Sequence, residues 1–214
     1  MKNPSLQYEQ QLWNLGKSLI AGLDEVGRGC LAGPVVMAAV IFEPRKAKKL
    51  FSTHLSEVKD SKQLSPKKRE QFAKIIRNEA LCFAITREEN TAIDTLGMAK
   101  AVHQAFRTAV FSLPTSPDHI LIDAFYIKEL NKAIQTPIIK GDEKSFFIAS
   151  ASIIAKVFRD ELMQKTHLEN PDLHPYRLDK NKGYGTKEHI NAILKHGYSY
   201  FHRKSFKLKI LSHC

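Results

Sequence analysis

The sequence predicts an α/β fold: a mixed five-stranded sheet flanked by helices, with a basic helical extension at the C-terminal end. Three observations carry that expectation. Five short apolar runs, at 18–26, 34–42, 81–86, 119–123 and 136–142, are bounded by Gly, Pro or acidic residues, as buried strands are. The first two are joined by a short link containing Gly33-Pro34, which favours an antiparallel hairpin. The later runs alternate with helical stripes, which calls for parallel pairing and helices on the sheet faces.

Residues 5–15 read as a short helix, with Ser5 as N-cap and Leu6, Leu12 and Trp13 as its apolar members. The stretch 45–56 is ambiguous. Ser65 followed by Pro66 is a good helix start, and Phe72, Ile75 and Ile76 extend an apolar stripe to about Glu79. Residues 95–111 read as one helix, with Met98, Val102, Ala105, Phe106 and Ala109 at three-and-four spacing. Pro114 and Pro117 then break the chain. A long helix is expected over 145–166, where Ala149, Ser150, Ala151, Ser152 and Ala155 allow close approach to a sheet.

The chain has 214 residues, 43% apolar and 26% charged, and a net charge of +11. Those values are of a globular chain expected to form one domain (1–214), with 172–214 as a basic appendage. The excess positive charge points to an acidic partner, nucleic acid first. Three scattered cysteines (Cys30, Cys82, Cys214) make neither a disulfide framework nor a zinc site and fit a reducing, cytoplasmic setting. Neither a signal peptide nor a membrane span is expected. The lack of a Gly-rich Walker loop argues against nucleoside-triphosphate chemistry.

From His174 onward nine Lys/Arg face two acids, with Tyr176, Tyr184, Tyr198, Tyr200, Phe201 and Phe206 interleaved. Basic residues mixed with aromatics suit a nucleic-acid surface, above all over 176–187. The plain alternative is a solvated tail. Within it, Thr186 can cap a short helix that Gly197 closes.

Chemistry concentrates on acids. Asp24 and Glu25, Asp123, and Asp142 each close an apolar run at its C-terminal end. Ligands gather outside the carboxyl ends of strands in open α/β sheets. Carboxylates meeting there suit hard divalent cations, and two such ions roughly 3.5–4 Å apart serve phosphodiester hydrolysis. Singly, each acid has an ordinary explanation: Asp123 could cap a turn, and Asp142 sits where a helix N-cap belongs. Period-two geometry adds a complication. If Asp24 aims at the metals, Glu25 in a regular strand aims away, leaving its side chain, its carbonyl or a supporting role open. The Gly27-Arg28-Gly29 element lets backbone approach a ligand while Arg28 suits phosphate; an exposed hairpin turn is the alternative. Asp160, beside Arg159 within a helix, reads as structural.

Taken together, Asp24-Glu25-Val26-Gly27-Arg28-Gly29, Gly33-Pro34-Val35, Asp60-Ser61-Lys62, Leu121-Ile122-Asp123, Lys140-Gly141-Asp142, the 149–157 run with Arg159-Asp160, and Lys182-Gly183-Tyr184-Gly185-Thr186 with Glu188-His189 resemble bacterial ribonuclease HII over roughly 17–200. The resemblance implies a ribonuclease H-like fold and a metal-dependent endonuclease. Such an enzyme cuts RNA in RNA–DNA hybrids and 5′ of ribonucleotides embedded in duplex DNA, leaving 5′-phosphate and 3′-hydroxyl ends. It assigns catalysis and two ions, Mg²⁺ or Mn²⁺, to Asp24, Glu25, Asp123 and Asp142. It assigns 2′-hydroxyl sensing to Gly27, Arg28 and Gly29, and sugar packing to Tyr184. Lys62 is a candidate phosphate contact, as are Lys180, Lys182 and Lys187. A monomer is expected, and the tail 205–214 lacks a sliding-clamp box, making clamp contact doubtful. Two other readings remain: a catalytically silent binding module on the same scaffold, and a different two-metal nuclease.

Overall fold

The computed structural model describes residues 4–53 and 64–208. Asp60, Ser61 and Lys62 therefore lie outside the described residues, as do residues 209–214 of the tail.

The sheet has the order β3-β2-β1-β4-β5. Strand β1 (Ile20–Val26) pairs antiparallel with β2 (Val35–Ile41), and β2 pairs antiparallel with β3 (Cys82–Glu88). On the other side β1 pairs parallel with β4 (His119–Asp123), which pairs parallel with β5 (Gln135–Ile138). The hairpin and the mixed pairing match what the apolar runs imply. All of β2 is buried because both its edges and both its faces are covered.

The two faces sort by alternation. Ile20, Val36, Ala38 and Val40 share one core with α3 (Pro66–Glu79) and α6 (Phe146–Glu169). Ala21, Leu23, Val35, Met37 and Ala39 face α5 (Met98–Phe111) in a second core. Helix α6 lies so close to β1 that a Cβ on Gly22 would meet the Phe147 main-chain carbon at 2.3 Å. Its Ala/Ser run, buried from Ala149 to Ala155, permits that approach. Ser65 and Ser145 cap α3 and α6, accepting from the Lys68 and Ile148 amides. Helix α1 (Gln7–Asn14) pins the start of α6: buried Glu9 accepts from the Ser145 hydroxyl at 2.6 Å and the Phe147 amide at 3.0 Å.

One open stretch is resolved and two expectations are corrected. The ambiguous stretch contains α2 (Pro44–Thr53), buried through Ala47 and Leu50. The helix expected over 95–111 is two, α4 (Asn90–Leu96) and α5, because Gly97 at φ +79° turns the chain between them. The fifth strand stops at Ile138, as an edge strand carrying Pro137 readily does. Lys140 then adopts a left-handed conformation, and Asp142 falls in the 3-10 turn Gly141–Glu143 instead of closing the strand.

The C-terminal region comprises the 3-10 segment Pro171–Tyr176, α7 (Leu178–Asn181) and α8 (Lys187–His196). Thr186 caps α8 by accepting from the His189 amide, and Gly197 follows its end. Ala32, Met163, Leu173, Tyr176, Leu178, Ile193 and Phe201 form a third core joining this region to α6 and to the β1–β2 connection. Tyr176 is thus 4% exposed, its hydroxyl donating to the Gly197 carbonyl, and is not part of a nucleic-acid surface. Tyr184 and Tyr200 are the interleaved tyrosines that face solvent.

Candidate active site

Asp24 sits near the end of β1 on the α6 face and is buried. It accepts from the Ser152 hydroxyl of α6 and, through Oδ1, from the Glu25 amide at 2.8 Å. Asp123 closes neighbouring β4, and its Oδ1 accepts from the Gly141 amide at 2.7 Å. That bond ties the Asp123 carboxylate to the turn presenting buried Asp142. A Cβ at Gly141 would lie 2.6 Å from Ile148 Cδ1, so the turn is pressed onto α6 as well.

Burial, then Glu25, Asp142 and Asp123, push the Asp24 carboxyl well above the usual range, against the bond from Ser152. Burial also raises Glu25; Arg28 opposes this while Asp123 and Asp142 add to it. Asp24, Glu25, Asp123 and Asp142 therefore share one electrostatic neighbourhood. Glu25 does not aim away from it. Strand alternation starts it on the other face, but β1 ends one residue later at Val26, and Gly27 at φ +92° takes the chain out of the pleat.

The donor set fits hard cations: four carboxylates, all oxygen, with one buried Glu25 oxygen, Oε2, lacking any partner. Burial first, and then mutual repulsion, disfavours the charged forms of Asp24 and Glu25, and a divalent ion among the four acids would favour them. Among the described residues no group of three or more acids, histidines or cysteines stands in a ready metal cage.

The Gly27-Arg28-Gly29 element borders this cluster. A Cβ on Gly27 would strike Arg159 Nε at 2.2 Å, and its positive φ excludes other residues too. At Gly29 a Cβ would meet nothing within 4 Å, and its φ is not positive, so the fold itself gives no reason for a glycine there. Arg28 reaches Glu25 Oε1 at 3.5 Å, lies over the Phe125 ring at 5.6 Å, and is 51% exposed. Tyr184, 40% exposed, has Lys156 Nζ 5.3 Å and the Arg159 guanidinium 5.8 Å from its ring centre. Lys180 and Lys187 are exposed, whereas Lys182 Nζ is turned back onto the Asp179 carbonyl. Lys62 lies outside the described residues.

Asp160 is structural as read, but its partners are Lys156 at 2.7 Å and Arg69 at 3.4 Å, not its neighbour Arg159. Several other residues escaped sequence reasoning. Arg159 and Arg203 are fully buried and bonded to main-chain carbonyls. Arg203 looked like one more cation of a basic tail. His189 and His202 form a buried pair, Nε2 to Nε2 at 3.0 Å. The other His189 nitrogen must donate to the Tyr184 carbonyl (2.8 Å), so His189 Nε2 accepts and His202 Nε2 donates. His202 Nδ1 then accepts from the Ser199 amide at 3.0 Å. The chain of bonds works only with both rings neutral, and it fixes the main chain at Tyr184. The motif contains His189, but no sequence signal pairs it with His202.

The family model described as Ribonuclease HII matches residues 21–209. A protein named Ribonuclease HII from Caldanaerobacter subterraneus subsp. tengcongensis is 42% identical over 204 residues, 95% of this chain and 80% of that one. Another, from Clostridium botulinum strain Hall, is 45% identical over 195 residues, 90% and 69% of the two chains. Among solved structures, ribonuclease H2 from Pyrococcus horikoshii OT3 has a TM-score of 0.69 at 24% identity, covering 88% of this chain and 93% of that one. A structure of the PCNA:RNase HII complex from Archaeoglobus fulgidus gives 0.68 at 23% identity, covering 89% and 96%. At those identities the structural likeness bears on the fold.

Proposed function

Because the chain belongs to the ribonuclease HII family, whose members are endoribonucleases, we propose that it cuts RNA in RNA–DNA hybrids and duplex DNA on the 5′ side of an embedded ribonucleotide. The observation that supports this most is the meeting of Asp24, Glu25, Asp123 and Asp142 in one electrostatic neighbourhood beside a glycine-flanked loop. Two bound Mg²⁺ or Mn²⁺ ions would supply Lewis-acid charge at the reacting phosphate and sharpen an attacking water. Asp24, Glu25, Asp123 and Asp142 would hold them. Ser152 orients Asp24, and the Gly141 amide orients Asp123. Cleavage with water entering at phosphorus and the 3′ oxygen leaving gives 5′-phosphate and 3′-hydroxyl ends.

Ribose is recognised next to that centre. Only the 2′-hydroxyl separates RNA from DNA at a given position. Main-chain groups at 27–29 can approach it because Gly29 leaves open space. Arg28, once Glu25 is occupied by a cation, is released to meet a phosphate. The solvent-facing ring of Tyr184 offers a flat surface against the adjoining sugar. No helix of the described residues is long and apolar enough to cross a membrane, and we place the reaction in the cytoplasm with a monomeric chain.

The test is a gel assay on a DNA duplex containing one ribonucleotide, beside an all-DNA duplex and a long RNA–DNA hybrid, with Mg²⁺, Mn²⁺ or EDTA. The reading predicts one metal-dependent cut 5′ of the ribonucleotide, cleavage of the hybrid, and an intact all-DNA control. Binding without any cleavage would favour a silent module. Cutting of the all-DNA control would favour a different two-metal nuclease.

A further inference from the structure

We propose that Arg159 and Arg203 are positioning residues that set the spacing between the 27–34 loop and Tyr184, and so determine how well the chain accepts a lone ribonucleotide bordered by deoxyribonucleotides. The proposal rests on the roles given above to that loop and to Tyr184.

Both guanidiniums are 0% exposed, a costly place for a cation. Their bonds converge on one seam. Arg159 donates from Nε to the Pro34 carbonyl (3.0 Å), from Nη2 to Ala32 (3.2 Å) and from Nη1 to Lys182 (2.8 Å). It therefore ties the loop to the residue two before Tyr184. Arg203 donates to the carbonyls of Gly33 (2.9 Å), Arg28 (2.9 Å) and Cys30 (2.8 Å). Five carbonyls of the 28–34 stretch are thus held by two forks: Arg28, Cys30, Ala32, Gly33 and Pro34. The seam closes directly as well, since the Leu31 amide donates to the Gly183 carbonyl at 2.8 Å. A Cβ on Gly183 would come 2.4 Å from the Ala32 oxygen, so the two segments touch main chain to main chain. Arg159 also fills the space beside Gly27 and stands 5.8 Å from the Tyr184 ring centre.

Apolar side chains would fill this volume without desolvating two cations. A planar fork does something they cannot: it fixes the distance between carbonyls, on separate segments for Arg159 and within the loop for Arg203. Here those segments carry the two elements assigned to neighbouring sugars. A long hybrid offers a 2′-hydroxyl at every step, so it can satisfy a slightly misplaced pair in some register. A single ribonucleotide has one register and depends on the spacing.

The experiment measures kcat and KM of the full chain with Mg²⁺ on two substrates: a duplex with one ribonucleotide, and a long RNA–DNA hybrid. Arg159→Lys keeps the charge and loses the fork. The expected result is a fall of at least about tenfold in the single-ribonucleotide to hybrid ratio of kcat/KM, carried by kcat, with hybrid cleavage within a few-fold of wild type. An unchanged ratio, or both substrates falling together with the folded fraction, would overturn the proposal. Should Arg159→Lys not fold, Arg203→Lys is held to the same criterion. If neither folds, the arginines are structural pins and the proposal is overturned. A wild-type chain that cuts neither substrate would overturn the underlying reading, and this proposal with it, before any variant is compared.

Discussion

Acid should loosen the Tyr184 segment through one buried ring. Burial, then the neighbouring His189, lowers His202 from 6.5 to about 4. The folded state therefore disfavours the charged form. Stability from this ring is fully present above pH 6.5 and is lost as pH falls through the folded value near 4. That lowering corresponds to about 3 kcal/mol, most of it lost by pH 4. In structural terms, the added proton goes to His202 Nδ1, the atom that accepts from the Ser199 amide at 3.0 Å, and leaves two donors facing each other there. His202→Leu removes the titration. At neutral pH it costs about 1–3 kcal/mol by stranding the Ser199 amide and His189 Nε2. Urea unfolding of both proteins from pH 7.5 to pH 4 should show the wild-type advantage shrinking by about 3 kcal/mol as pH falls. Parallel stability curves across that range would refute the neutral-pair arrangement.

Glu9 works in the opposite direction. Burial raises it from 4.5 to about 6, so its stability contribution is present below pH 4.5 and lost as pH rises through 6, a change of about 2 kcal/mol. Glu9→Gln, which keeps an acceptor for Ser145 and Phe147, should flatten that slope in the same unfolding series. Asp123→Asn should lower turnover by about 100-fold or more while duplex affinity in a gel shift stays near wild type, since asparagine can still accept from the Gly141 amide. Near-normal turnover would remove Asp123 from the site. Arg28→Ala, altering an exposed side chain, should reduce the salt dependence of duplex binding by about one phosphate contact and leave melting almost unchanged. A large loss of thermal stability with intact specific activity would mark Arg28 as structural.

The strands were legible because burial on both faces demands continuous apolar runs, and Gly, Pro or acids end them. Ser65-Pro66 and Thr186 announce helix starts because capping is local chemistry. Asp24 and Asp123 could be placed for the same reason: they sit at or near strand ends. Asp142 was placed one element too early. The left-handed Lys140 that moves it into a 3-10 turn has no mark in a run of Ile138-Ile139-Lys140. Glu25 could not be aimed from period two, because alternation fails where β1 gives way to Gly27. The basic, aromatic C-terminal stretch misleads by composition. Tyr176, His202 and Arg203 belong to the interior, and what buries them is packing against residues some 20 to 175 positions away.

The most direct test of the central claim, that Asp24, Glu25, Asp123 and Asp142 act together as a divalent-cation site, is Mn²⁺ binding followed by calorimetry without nucleic acid. Wild type should bind Mn²⁺ and release protons on doing so, because burial and repulsion hold Asp24 and Glu25 above their usual range. Asp24→Asn and Asp142→Asn should each weaken binding by about tenfold or more while remaining folded. Unchanged affinity in both variants would contradict the account and place the cation elsewhere.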